Sequence, residues 1–470
     1  NTSGSVSIGS FTAGGSYTVT AISSSAFENC TNITSVSIPS SVTTIGNSAF
    51  KGCTGLTAIN IPDTVTALGI SAFEGCTSAT SVYISSGVTS FQQYTFKDCT
   101  SVLTVTTNNA KGFSISNLYM KKDGVNYWVR SKDEVWVAAD TYTGSVTIPS
   151  SVTSGNTFDV TAIAESAFKD CSGLTSVSIP NSVTSIGSNA FQNCTGLTTL
   201  PIPSSVSSIS SNTFKGCTGL TTLTIPSTVT AISSSAFENC TGLTSITVPS
   251  NVTSIGSNAF KGCTNVTDYE CNSNAGFTAL VEKSNLERLT INDGVTTIAA
   301  GALSGCSSLE YIRIPFIGDN NGKPFGYIFG TTSYDNSYRA DQYYDVMWLT
   351  SYIPNTLKTV VLSTANNITL IPMGAFESCY TLRSVNIPST VTEIKSVSFM
   401  GCDRLILDVP STVATIGSNA FYNVYYISYH GAAYDEFFWG ASHHNGTADA
   451  NGFVYSDSAT TLDCYIGSST

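Results

Sequence analysis

Charge is scarce in this chain. Only 11% of its 470 residues are Asp, Glu, Lys or Arg, and 19 of them are basic. The formal net charge is −12 and no run of Lys or Arg occurs, so the electrostatic footprint that nucleic acid or an anionic lipid surface needs is missing. Neither partner is expected. No apolar run approaches the length of a bilayer-spanning helix, and no membrane insertion is expected within this segment.

Histidine is rarer still: His430, His443 and His444 all lie near the C-terminus, close to Asp435 and Glu436. Their spacing matches no metal or catalytic motif, and two adjacent histidines in a Gly/Asn loop read as solvent-facing. Serine is abundant, yet G-x-S-x-G, P-loop and G-x-G-x-x-G signatures are absent. The chain therefore reads as a non-enzyme without cofactor or metal. It opens at Asn1, with neither a Met nor a signal-like segment, and reads as an excised or processed piece.

Core material is plentiful, with 41% apolar and 10% aromatic residues. A chain of this length exceeds one compact core, which leaves several domains or an array growing in one direction. The cysteines decide between them. Twelve of the fourteen fall on one motif: Cys30, Cys53, Cys76 and Cys99, then Cys171, Cys194, Cys217, Cys240 and Cys263, then Cys306, Cys379 and Cys402. Within each uninterrupted run the step is 23 residues.

One unit shows the frame. Leu56, Ile59, Ile61, Val65, Leu68, Ala72, Phe73 and Cys76 are apolar, and the residues between them are mostly small and polar. The stretch Leu56-Thr-Ala-Ile-Asn-Ile61 predicts a short strand with Ile59 and Ile61 on one face. Pro62 and its equivalents end each strand, because proline lacks the N–H that a ladder needs. A unit this small cannot bury its own apolar face, so neighbours must stack strand on strand in a parallel sheet.

Stacking also answers what the cysteines do. Equivalent side chains of stacked units point in parallel, whereas a disulfide needs converging Cβ vectors. Metal sites use short C-x-x-C pairs or nearby His, and the repeat cysteines have neither. A buried thiol ladder is expected. Cys271 lies where a strand Ile recurs and is expected in the core, and Cys464 falls outside the frame.

The repeated pattern L-x-x-[IV]-x-I-P-x-x-V-x-x-I-[GS]-x-x-A-F-x-x-C closely resembles the BspA-like leucine-rich repeat family of microbial cell-surface proteins. The resemblance implies a curved repeat solenoid of the α/β leucine-rich type, with mostly short parallel strands and about seventeen of them. It also implies an extracellular or cell-surface location and adhesion to host or matrix proteins such as fibronectin and fibrinogen.

The period is interrupted in an ordered way. Residues 2–30 match residues 142–171 with a one-residue gap, so the array starts twice. Residues 453–467 resemble the approach to the second start, which predicts a further module and a natural protein longer than this chain. The expected organisation is a first array at 1–110, a connecting insertion at 111–143 and a second array at 144–315. An aromatic-rich insertion at 316–354 and terminal repeats at 355–429 follow, and 430–470 hold a C-terminal cap and the start of that further module.

Binding residues are sought where the frame is broken by large side chains. The outward strand positions are mainly Ser and Thr, broken by Tyr83, Tyr311 and Arg313. The insertion adds Tyr327, Tyr343 and Trp348. Tyr, Trp and Arg are the usual anchors of interfaces, so these six are the candidate ligand contacts for a host or extracellular protein. A glycan stacking on Tyr327, Tyr343 or Trp348, with Asp341 or Asp345 accepting hydrogen bonds, is one alternative; a spacer holding a distal domain off the cell is the other. The competing use of the insertion is to pack its rings on the array.

Overall fold

The computed structural model describes residues 4–12, 16–107, 118–280, 283–319, 322–365, 368–429, 453–455 and 462–465. The chain is a β-solenoid of about 17 turns with the 23-residue spacing. The sequence-based expectations for residues 430–452, the cap and the three histidines, lie outside the described residues.

Each rung has three sides. Its long side is a strand of about four residues, such as Ala58–Ile61, Ser81–Ile84 and Thr104–Thr107, which pair in parallel with Ile59, Val82 and Val105 in register. Ile59 and Ile61 are buried as the alternation requires. The proline that follows opens a turn, its carbonyl accepting from the Val N–H three residues on, at 3.0 Å from Val65 to Pro62. That bond is the reason for P-x-x-V.

The second side is a two-residue bridge: Thr44–Ile45, Ala67–Leu68 and Ser90–Phe91 form a second parallel ladder. The third side, A-F-x-x-C, is built of turns. Ser71 and Gly75 in one rung, and Asn189 and Asn193 in another, hold positive φ four residues apart. Small polar residues and glycine tolerate that region, which explains the Asn, Asp, Ser or Gly before each ladder cysteine. Helix is minor: the described residues hold one α-helix, the five-residue Asn274–Thr278.

Two compact units divide the chain at residues 218 and 219. In the first, Phe27, Phe50, Phe73 and Phe96 stack with centroids 5.0, 5.2 and 5.8 Å apart. The double start is visible as two equivalent pairings. Gly4–Ser7 pairs in parallel with Ile33–Ser37, and Gly144–Thr147 pairs with Leu174–Ser178 with the same one-residue shift after the glycine. Between the starts, Tyr119–Lys122, Val125–Val129 and Glu134–Val137 form an antiparallel meander whose last strand joins Asn156–Ile163 in parallel.

In the second unit one sheet carries Ser245–Val248, Asp268–Cys271, Arg288–Ile291, Tyr311–Ile314, Thr359–Leu362, Ser384–Asn386, Ile406–Val409 and Tyr426–Tyr429 in parallel order. The aromatic-rich insertion departs between Tyr311–Ile314 and Thr359–Leu362. Its first part, the short 3-10 helix Phe325–Phe329, buries Phe325, Ile328 and Phe329, and Phe325 packs 5.2 Å from Phe376. Its second part is a hairpin, Ser337–Tyr344 with Met347–Pro354.

The thiols of the twelve ladder cysteines and of Cys271 are free. Eleven of the twelve ladder thiols are buried, and Cys30 in the first rung is half-buried. Most of the buried thiols also donate a hydrogen bond to a backbone carbonyl. Cys76 donates to the carbonyl of Phe50 at 3.4 Å, Cys194 to Phe168 at 3.0 Å, and Cys402 to Phe376 at 3.1 Å. Burial pushes Cys217 up to about 12 and holds it protonated.

Candidate binding surface

Alternation along the strands of the second unit sends one set of residues inward and leaves two rows outward. Ile246, Tyr269, Leu289, Ile312 and Val360 are buried. The first outward row runs Ser245, Asp268, Arg288, Tyr311, Thr359, Ser384, Ile406, Tyr426, and the second contains Glu270, Thr290, Arg313 and Val361.

Register turns these rows into contacts. Asp268 Oδ1 lies 3.3 Å from Arg288 Nε, and the Arg288 guanidinium sits 4.2 Å from the centre of the Tyr311 ring. Both ends of the pair are half-exposed, so its worth lies in orientation more than in stability. Arg313 is held more firmly: it donates to Asn292, to Ser363 at 3.2 Å and to Asp293 at 3.4 Å. Further along, Ile406 is 54% exposed among polar neighbours, and Tyr425 is 64% exposed.

The insertion contributes a second exposed feature. At the hairpin tip Val346, Met347 and Trp348 are 77, 61 and 58% exposed. Tyr343 meets Trp348 edge-on at 5.3 Å. The strand is anchored near this tip by Glu377, a buried carboxylate that accepts from the Tyr343 N–H at 2.7 Å, and burial raises its proton affinity.

Of the six candidates, the structure joins Tyr311 with Arg313 on one strand and Tyr343 with Trp348 on the hairpin. Tyr327 stands apart in a hollow of about 490 Å³ beside Gly301, Ser304, Thr331 and Thr332. Tyr83 belongs to the first unit, between Asn60 and Thr106 in the outward row. Many hydroxyls that looked available are spent on the solenoid itself: Thr57 and Thr80 donate to the carbonyls of Thr34 and Thr57, 23 residues earlier. Ser5 and Ser35 pair with each other at 2.7 Å.

The sequence reading passed over Asp268, Arg288 and Ile406. It also passed over a cluster on the meander of the first unit, where the Arg130 guanidinium lies 4.1 and 4.3 Å from the Trp128 and Trp136 rings. Strand alternation was the signal for both: Trp128 and Trp136 are register partners.

No curated protein matches the chain. Solved structures do, among them a leucine-rich repeat protein from Bacteroides ovatus, 22% identical over 66% of this chain and 94% of that one, with a TM-score of 0.34. A leucine-rich cell surface protein from Faecalibacterium prausnitzii is 25% identical over 68% of this chain and 96% of its own, with a TM-score of 0.27. A leucine-rich repeat protein of T. pallidum is 26% identical over 43% and 79%, with a TM-score of 0.30. The family described as BspA type leucine rich repeat region matches in six copies, at residues 18–120, 140–267, 277–322 and 352–430. With most of its length so matched, and with the rungs that the repeat encodes, this chain belongs to the BspA type leucine-rich repeat family.

Proposed function

We propose that the chain is a non-enzymatic binding protein of the cell surface or extracellular space, and that it attaches to host or matrix proteins through the outward rows of the second unit. The observation that carries this reading is the register of Asp268, Arg288 and Tyr311. It sets a fixed charge, a guanidinium and an aromatic ring side by side on rigid strands, with exposed Ile406 in the same row. Such residues supply most of the energy of protein interfaces. Family membership supports the location, and the hairpin tip at Trp348 offers a second contact beside that sheet.

The test is binding of the full chain to immobilised fibronectin, fibrinogen and host cells, compared with Arg288→Ala, Tyr311→Ala and Ile406→Ser. Loss of affinity by about tenfold or more in these variants is expected, since truncating an interface anchor costs roughly 2 kcal/mol. Unchanged binding in all three would remove the sheet face as the site. Absence of binding to any protein would favour a spacer. Binding to a glycan array that is lost with Trp348→Ala would move the site to the hairpin and the ligand to carbohydrate.

A further inference from the structure

Turn arms of successive rungs in the first unit are joined by a regular ladder of backbone hydrogen bonds. The N–H groups of Ser25, Phe27 and Asn29 donate to the carbonyls of Asn47, Ala49 and Lys51 at 2.8, 2.7 and 2.6 Å. Those of Ser48, Phe50 and Gly52 donate to Ile70, Ala72 and Glu74, and those of Ser71, Phe73 and Gly75 to Gln93, Thr95 and Lys97. Donors and acceptors alternate along each arm, so every arm presents three N–H groups to the rung that follows.

The fourth arm has the same backbone, with φ of 63° at Tyr94 and 60° at Asp98, but among the described residues no fifth arm stacks on it. Beyond Cys99 the chain enters the strands Thr104–Thr107 and Tyr119–Lys122. The N–H groups of Tyr94, Phe96 and Asp98 consequently meet no acceptor among the described residues. Tyr94 is 40% exposed and Asp98 is exposed, so the row is open to solvent, and an open row of backbone donors is a template on which another chain can place its own carbonyls.

Where the fifth arm would stand there is a cleft of about 460 Å³. Tyr94, Asp98 and Thr100 line one side, and Tyr119, Met120 and Asn126 the other. Its size falls in the range of roughly 300–1,000 Å³ typical of ligand clefts. The cations around it are already matched, Lys121 with Asp140 at 2.8 Å and Lys97 with Glu74 at 3.6 Å. An anionic ligand would have to compete with those carboxylates, whereas a neutral backbone would not.

We infer that this cleft docks a peptide segment of a partner protein, whose backbone offers three carbonyls at alternate residues and takes the place of the missing turn arm. Recognition of this kind extends a hydrogen-bond ladder from its open end, with affinity from the main chain and selectivity from the side chain that enters the cleft. The site lies in the first unit and is independent of the sheet face of the second, so either can fail without the other.

The probe is a reduced synthetic peptide of residues 46–54 of this chain, GNSAFKGCT, which carries the three carbonyls of a turn arm around a central Phe. Hydrogen–deuterium exchange on the full chain reads the outcome at residue resolution. Without peptide, the amides of Tyr94 and Asp98 should exchange at least about tenfold faster than those of Ser71 and Gly75, because opening is not required. Added peptide should slow them saturably. Thr100→Trp, an exposed position on the cleft wall, should abolish that slowing while leaving the melting temperature unchanged. Amides already as slow as those of Ser71 and Gly75 without peptide, or no saturable slowing in the wild-type chain, would overturn the inference. So would undiminished peptide binding in a folded Thr100→Trp chain.

Discussion

The thiol of Cys53 donates to the carbonyl of Phe27, 3.0 Å away and 26 residues earlier in the chain. That carbonyl also accepts from the Cys30 N–H within its own rung, so the sulfur ties one turn arm to the next. Cys53→Ala removes the bond and leaves a small cavity, and stability should fall by about 1–2 kcal/mol. Cys53→Ser keeps a donor and should lose less. Urea unfolding of the two variants checks this, and a larger loss for Ser than for Ala would show that the hydrogen bond carries no part of the effect. Ligand binding should be unchanged in both.

Buried thiols also set an alkaline limit. Burial raises Cys53 from 9.0 to about 11, and Cys217, Cys271 and Cys306 to about 12. The folded state therefore holds these protons more tightly than the unfolded chain. The resulting stability is fully present below the unfolded value of 9.0 and is lost as pH rises through the folded values. The urea midpoint should be flat up to about pH 8 and fall steeply above about pH 9, with native thiols reacting slowly with alkylating reagents at neutral pH. A midpoint that rises between those values would contradict the burial argument.

The apolar frame was legible because it recurs: Ile59, Ile61, Phe73 and Cys76 could be placed inward from periodicity, and Pro62 from its missing donor. The acceptor of each thiol was not, because it depends on the stagger between stacked turn arms, which no residue type encodes. The Asp268, Arg288 and Tyr311 group escaped for a related reason. Arg288 follows Asp268 by 20 residues instead of 23, so the two share no repeat position although they are register partners. Within 316–354 the excess of aromatics was plain, yet the division of labour required the chain's path. The short helix turns Phe325 and Phe329 inward, and the hairpin tip turns Trp348 outward.

One turn arm carries strain that the others avoid. Val397 has φ of 53°, at the place where Ser71, Asn189 and Asn419 stand in other rungs. A β-branched side chain in the left-handed region costs roughly 1–2 kcal/mol, while Asn visits it readily. Val397→Asn should therefore raise stability by about 1 kcal/mol, read as a higher melting temperature. A lower one would mean that the packing of the half-buried Val side chain outweighs its backbone strain.

The hairpin of the aromatic insertion rests on a single glycine. Gly374 holds φ of 63°, and a Cβ built there would stand 2.2 Å from the carbonyl oxygen of Tyr343. Backbone cannot yield as a flexible side chain can, so Gly374→Ala must move the Tyr343 strand or unwind the turn arm. Either movement pulls the Tyr343 N–H away from the Glu377 carboxylate, whose burial is tolerated because it accepts that bond. Limited proteolysis should then cut within residues 337–354 at least about tenfold faster than in the parent chain, since local opening governs cleavage. The rungs either side should keep their protection. Equal cleavage rates would mean that the hairpin is held by Tyr338 and the 3-10 helix alone.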